Sequence, residues 1–268
     1  MNGGGGPPAA PAGWGALAGL RRCAFIAAAL IAWEVVAQSG RVSPLLFPSL
    51  IKIFREFGGL LLHGDRLVEA WYSLHRALSG FALAAAVGVP LGMVMGRSAA
   101  VGNLFEPLFS GTYPVPKIAL FPVFVFIFGI GSLSKIALVF LECLYPIVIN
   151  AAAGARAVDR VLLWSARNMG ASRAQILRRV VVPATAPYLF AGFRVALPIA
   201  LIVVIITEMI GSADGLGYFV MYNFSSFKTD RVLAAVAAIA LLGLGLDRLL
   251  VAARDRLIFW EKLESYYA

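Results

Sequence analysis

Residues Trp164–Ile210 read WSARNMGASRAQILRRVVVPATAPYLFAGFRVALPIALIVVIITEMI. The stretch opens as a basic segment with a small-residue turn at Gly170-Ala171-Ser172. It then passes Pro183 and Pro187 and becomes an apolar run, Pro187–Ile210, whose only charges are Arg194 and Glu208. A hydrocarbon core of roughly 30 Å is crossed by about 20 apolar residues in a helix. Pro187–Ile210 therefore reads as a membrane span, and the segment before it as a loop with helices of its own. Ser172 is placed to cap the second of those helices, and the proline pair marks where that helix is expected to stop.

Working outward, similar apolar segments occur at Leu78–Met95, Phe105–Phe128, Lys135–Ala153 and Val232–Ala253, with a shorter one at Cys23–Ala37 after Arg21-Arg22. Together they predict an all-α integral membrane protein with six transmembrane helices. Val35-Val36-Ala37 loosely resembles a signal cleavage site, but Trp33 and Glu34 interrupt a signal-like core, so an uncleaved first span is the reading taken. The Gly/Pro/Ala-rich residues 1–20 read as a flexible tail, 21–72 as the first span with an outer segment, 73–253 as the main membrane domain, and 254–268 as a cytoplasmic tail. Within 39–72, Leu50, Ile53, Phe54, Phe57 and Leu61 recur at helical spacing, as in an amphipathic helix lying on the membrane or on the bundle. Phe105–Phe128 holds Pro107, Pro114, Pro116, Lys117 and Pro122. It reads either as a bent span beside a pathway or as a loop before a short span from Ile118.

Composition agrees. The chain is 60% hydrophobic and 14% charged, against roughly 25% charged for a soluble domain, and its mean hydropathy is +0.85. The net charge of +9 does not form a basic stripe interleaved with aromatics, so nucleic-acid binding is set aside. With the amino terminus in the cytoplasm, thirteen arginines and lysines fall inside and seven outside, which orients both termini inward. Arg156, Arg160, Arg167, Arg173, Arg178 and Arg179 carry most of that bias.

Several chemistries lack their residues. No lysine follows a glycine, so the phosphate-cradling GxxxxGK[ST] loop is missing. His63 and His75 do not make an HExxH zinc site, and no GxSxG elbow occurs; both read as interfacial. Cys23 and Cys143 have no metal-ligand spacing and read as buried thiols. No catalytic residue, metal site or resident cofactor is expected. The charges in or beside spans are Glu34, Lys117, Glu142, Arg194 and Glu208, each costly in hydrocarbon unless paired or wetted. Glu34 and Arg194 lie near span ends and suit snorkelling. Glu208, with Thr207, reads either as a pathway or gating residue or as half of a structural pair with another span. Lys117, beside Pro114 and Pro116, is placed to attract an anionic solute. The aromatics of the expected outer loop Gly215–Lys228 read as an interfacial belt or as a contact for a delivery protein, and Trp260, Tyr266 and Tyr267 as interface anchors.

The basic segment resembles the "EAA" loop of binding-protein-dependent ABC importer permeases, EAA-x3-G-x9-I-x-LP. Ser165 and Ala166 stand at the two alanine positions, Gly170 at the glycine, Val180 and Val182 at the aliphatic positions and Pro183 at the proline. Trp164 stands where the family usually has glutamate. SLHRALSGFALAAAVGVPLGMVMGRS, YPVPKIALFPVFVFIFGIGSLSKI and GFRVALPIALIVVIITEMIGSADGLG are similar to the nitrate/sulfonate/taurine/bicarbonate branch. The resemblance implies a type-1 ABC importer permease with the MetI-like fold, in a bacterial inner membrane. It implies a separate ATP-binding cassette subunit holding ATP and Mg, an extracytoplasmic solute-binding protein, and a second permease copy, here expected as a homodimer. The loop 156–183 would couple to the ATPase through Ser165, Ala166, Arg167, Gly170, Ala171, Ser172, Arg173 and Pro183. A secondary transporter driven by ion gradients is the competing reading. It needs no ATPase partner.

Overall fold

The computed structural model describes residues 13–62 and 64–260, and every element among them is helical. In chain order these are α1 (Gly13–Gln38), α2 (Leu50–Leu62), α3 (Gly64–Arg97), α4 (Ala99–Thr112), α5 (Phe121–Phe128), α6 (Ser132–Ala157), α7 (Arg160–Asn168), α8 (Arg173–Ile176), α9 (Val182–Ile210), α10 (Leu216–Ser225) and α11 (Thr229–Leu257). Residues 1–12 of the expected tail, His63, and the carboxyl-terminal stretch with Tyr266 and Tyr267 lie outside the described residues, as does the side chain of Cys23.

Among the described residues, four helical stretches are long and apolar enough to cross a membrane: Leu67–Arg97, Ser132–Ala157, Arg173–Ile210 and Thr229–Leu257. The helices Ala99–Thr112 and Lys117–Phe128 pass the same test only together, as a pair bent by 89°, and make a fifth crossing where the pair is counted as one span. Ala24–Gln38 is a shorter apolar helix. The count among the described residues is thus four spans, or five with the bent pair as one, and the sixth expected span, Cys23–Ala37, falls on this shorter helix.

The core is a three-helix packing of α3, α6 and α9 in which small side chains let backbones approach. Gly80, Ala84, Gly88, Gly92 and Gly96 recur every four residues on α3, forming one stripe along a helix face. Within a membrane, where helix association gains little from the hydrophobic effect, such stripes permit the close packing that holds helices together. A Cβ added at Gly92 would lie 2.5 Å from the Val148 carbonyl oxygen, and one at Gly96 2.5 Å from that of Ala152. Ala77 and Ala84 continue the contact with Leu138, Val139 and Cys143 of α6 and Ala196, Ala200 and Val204 of α9, all fully buried. Cys143 donates its thiol to the Ala196 carbonyl at 3.3 Å.

The peripheral helices dock onto this core. Trp33 of α1 stacks on Phe47 at 4.0 Å and donates to the Pro48 carbonyl at 3.0 Å. Glu34, expected to snorkel, instead caps α2: it accepts from the Ser49 hydroxyl at 2.6 Å and the Leu50 N–H at 2.7 Å. The amphipathic α2 lies on the bundle, where Leu60 packs with Val220, Ala235 and Ala238. The segment expected as an outer loop after Gly215 is largely helix α10, with Tyr222, Phe224 and Phe227 exposed.

The close approach at Gly92 makes a prediction of sign. Gly92→Ala forces the α6 backbone away and should cost about 1–3 kcal/mol. Gly111→Ala meets nothing within 4 Å and should be neutral or stabilise by up to about 1 kcal/mol. Thermal unfolding of the two variants in the same detergent checks this; equal effects would refute the packing assignment.

Candidate functional site

The loop between α6 and α9 is built by local hydrogen bonds that its sequence specifies. Asp159 caps α7, its carboxylate accepting from the Val161 N–H at 2.8 Å. At the other end the chain reverses through Gly170, which has φ +79°, a left-handed conformation that costs side-chain-bearing residues roughly 1–2 kcal/mol. There the Gly170 N–H donates to the Arg167 carbonyl at 2.9 Å and the Ala171 N–H to that of Ala166 at 3.0 Å. This paired pattern is the Schellman helix stop. Ser172 then opens α8 with a capping box: Gln175 N–H donates to its hydroxyl at 3.3 Å, and Ser172 N–H to the Gln175 side chain at 2.8 Å. Stop and start are thus fused into one turn, as the spacing of Gly170 and Ser172 implied.

Pro183 behaves differently from expectation: the helix does not stop there. Arg173–Ile210 runs as one helical stretch of 38 residues, because Leu177–Val181 widens into a π-turn. The Val182 N–H reaches back five residues to the Leu177 carbonyl. A proline in a helix has no N–H and crowds the carbonyl four residues earlier. One wide turn absorbs both defects without breaking the axis.

This loop is tied to the spans through apolar side chains. Leu163 of α7, 4% exposed, packs with Met93 of α3, Ala155 and Val158 at the end of α6, and Val181. Outward, Leu162, Trp164 and Met169 are exposed, as are Arg160, Ser165, Arg167, Arg173, Arg178 and Arg179. The unit is therefore a small helical plate, fastened on one side and both apolar and basic on the other.

The second region is the α4–α5 break. Pro114 and Pro116 interrupt the helix, and a short 3-10 turn, Lys117–Leu120, restarts it. Lys117 is buried. Its ammonium donates to the Tyr113 and Val115 carbonyls, each at 3.3 Å, and sits 3.9 Å from the centre of the Tyr145 ring. Glu142, unassigned from sequence, accepts from the Ile118 N–H. Both charges brace the bend.

The third region surrounds Glu208. Its carboxylate accepts from Arg76 Nη1 at 2.7 Å, the Ser73 hydroxyl at 2.7 Å and the Gly217 N–H at 3.0 Å. Arg76 also pairs with Asp214 and donates from Nε to Ser132 at 3.0 Å. Ser73 accepts from the Leu216 N–H at 2.8 Å, and Glu69 accepts from the Gly215 N–H. Beside them Lys135, with no exposure, donates to the Ile130 carbonyl at 2.7 Å. Asp214 lies outside the spans. Desolvation raises its carboxyl, but the hydrogen bond and charge of Arg76 outweigh this and hold it below the usual carboxylate range. Its share of stability is therefore present at neutral pH and lost as pH falls through that lowered value. Thr207 is fully buried and donates to the Val204 carbonyl at 2.8 Å.

Of the alternatives left open for Glu208, the geometry supplies the structural pair, with Arg76 as the partner. The apolar run that opens at Leu78 leaves that arginine out, although the helix reaches back to Gly64. A signal existed. Arg76 continues the four-residue register of the glycine stripe, and Glu69, Ser73 and Ala77 form the row beside it, so these polar groups face the core.

Comparison with known proteins gives the following. Residues 88–258 match the family described as binding-protein-dependent transport system inner membrane component. A putative ABC transporter permease protein of Methanocaldococcus jannaschii is 35% identical over 88% of this chain and 90% of its own length. The taurine transport system permease protein TauC of Escherichia coli is 34% identical over 88% and 87%. A MetNI methionine ABC transporter structure superposes with a TM-score of 0.59 at 21% identity, covering 72% of this chain and 94% of that one; this last likeness concerns the fold.

Removing one member of a buried ion pair costs roughly 3–5 kcal/mol, whereas replacing both by apolar residues costs far less. Arg76→Met and Glu208→Met should each lower the unfolding midpoint sharply, and the double variant should recover much of the loss. Additive losses in this double-mutant cycle would show that the two do not act as a pair.

Proposed function

The chain belongs to the family of binding-protein-dependent transport system inner membrane components, and from that premise we propose how it works as the permease subunit of an ATP-binding-cassette importer. The loop Arg156–Pro183 faces the cytoplasm and docks a separate ATP-hydrolysing subunit, which holds ATP and Mg. The observation that carries this reading is the helical plate itself, with a fixed turn, an anchored inner face and an exposed outer face of Trp164, Met169 and arginines. Ser165, Ala166, Arg167, Gly170, Ala171, Ser172 and Arg173 form the plate, and Pro183 with its π-turn keeps it continuous with α9. The excess of arginine on the same side supports this orientation, with both termini in the cytoplasm.

The pathway runs beside the α4–α5 break. A cleft of about 450 Å³ lined by Ser110, Tyr113, Asn150, Pro146, Ile149 and Val195 opens between α4, α6 and α9. Polar groups on an open face are costly in lipid, which supports a second copy of this chain closing the cleft in a homodimer. Pro114, Pro116 and Lys117 shape its edge. Lys117 acts on an anion through its positive field, since its ammonium is turned to carbonyls. Thr207 and Glu208 hold the far end of α9. An extracytoplasmic binding protein delivers a small solute, and the likeness to a taurine permease supports a compact anion or zwitterion.

Gly170 offers the test. Asparagine tolerates the left-handed conformation and β-branched residues do not. In the reconstituted complex, Gly170→Asn should keep most solute-stimulated ATPase activity and Gly170→Val should lose it. Wild-type coupling in Gly170→Val would overturn the docking role.

A further inference from the structure

At the junction between the loop and the membrane lies a cavity of about 520 Å³, lined by Arg97, Arg167, Arg173, Ile176, Leu177 and Val181. Three guanidinium groups thus face one space, and none of the lining residues is acidic. Among the described residues, Arg167 and Arg173 make no ion pair or side-chain hydrogen bond, and Arg97 reaches only the Ala155 carbonyl, at 3.5 Å. The nearby carboxylates are committed elsewhere: Asp159 caps α7 and Glu106 pairs with Arg156 at 2.7 Å. Like charges gathered without a counter-ion repel one another, and an anion in the cavity removes that cost.

The position says which anion. Arg97 ends the span Leu67–Arg97, and Arg173 begins the stretch Arg173–Ile210, so the cavity lies on the loop side of the spans, reaching from the membrane surface beside Arg97 outward to Arg173. Basic pockets between helices at that surface suit lipid phosphates, and the guanidinium fork matches phosphate oxygens. Ile176, Leu177 and Val181 supply an apolar floor for the carbon attached to such a group. We infer that this cavity is a binding site for a phosphate group, carried by an anionic phospholipid headgroup or by free phosphate. Occupied, it ties the end of α3 to both helices of the loop, so that anion binding stiffens the plate. This inference is independent of the cargo, while Arg167 and Arg173 are shared with the plate proposed to dock the ATPase.

Thermal unfolding of the full-length chain in detergent tests it, titrating dioctanoyl phosphatidylglycerol, dioctanoyl phosphatidylcholine and inorganic phosphate separately. A saturable rise in midpoint with phosphatidylglycerol alone assigns the site to lipid, and an equal rise with inorganic phosphate assigns it to the soluble ion; either supports the proposal. Arg97→Gln and Arg173→Gln should each raise the half-saturating concentration about tenfold or more, while Arg248→Gln, outside the cavity, should leave it unchanged. No rise with either phosphate, an equal rise with phosphatidylcholine, or a response untouched by Arg97→Gln and Arg173→Gln overturns it. So does a result in which these arginines matter only for retention of the ATPase subunit, which would make the cavity a protein contact.

Discussion

A guanidinium 2% exposed among membrane helices has to find its countercharge inside the protein, and the placement of Arg76 constrains everything around it. Its two nitrogens reach Glu208 at the end of α9 and Asp214 in the following turn, while Nε reaches Ser132 at the start of α6. One side chain on α3 therefore fixes where three other segments end or begin. The cost of burial is met because each polar atom has a partner; among the described residues no buried side-chain nitrogen or oxygen lacks one. Such a cluster stabilises little compared with an apolar replacement, but it penalises any arrangement that separates its members. Its contribution is to specify one register for the helices.

That register is what the glycine stripe requires. Gly92 and Gly96 fit only against the Val148 and Ala152 carbonyls, and a shift of one residue along α3 would bring Met93 or Arg97 to the same places. Packing without voids and without clashes then determines the remaining contacts, since Ala77, Ala84, Ala196 and Ala200 leave no room to slide. Polar lock and small-residue seam lie on the same face of α3. Each is of use only if the other is aligned.

Much of this was legible in the residues. Apolar runs located the spans because a bilayer imposes a length, and Gly170 with Ser172 located the loop's turn because its backbone geometry needs those residue types. The failures share a physical origin. Reading a span as uninterrupted apolar residues excluded Arg76 and Glu69 from α3, although helix periodicity placed them on its buried side. Reading proline as a stop missed the continuity of α9, since a π-turn depends on which carbonyl the next free N–H can reach. Lys117 looked like a free cation because sequence cannot show that two carbonyls exposed by neighbouring prolines would claim it. Glu34 looked like an interfacial acid for the same reason: the helix start that it caps lies sixteen residues away.

The continuity of α9 has a mechanical meaning. The helical stretch Arg173–Ile210 has 38 residues, about 57 Å at roughly 1.5 Å per residue, and so exceeds the roughly 30 Å hydrocarbon core. Its basic end carries the plate proposed to meet the ATPase, and its other end carries Glu208 in the Arg76 cluster. Along the stretch, the points that can absorb a force applied at the plate are the π-turn at Leu177–Val181, on the plate side of the bilayer, and Pro187 and Pro198 within α9. Beyond the π-turn, α9 is held by its packing on α6 and α3. The packing resists sliding, so the displacement that remains is a tilt about the close approach of α9 to α6 at Gly192, which faces Pro146 and Asn150. A tilt moves the ends of a lever most, and Glu208 stands at the end remote from the plate. In the proposed transport cycle the Arg76 cluster is therefore where motor strain arrives. Whether its four segments travel together or part is decided by a buried ion pair, which permits few intermediate positions.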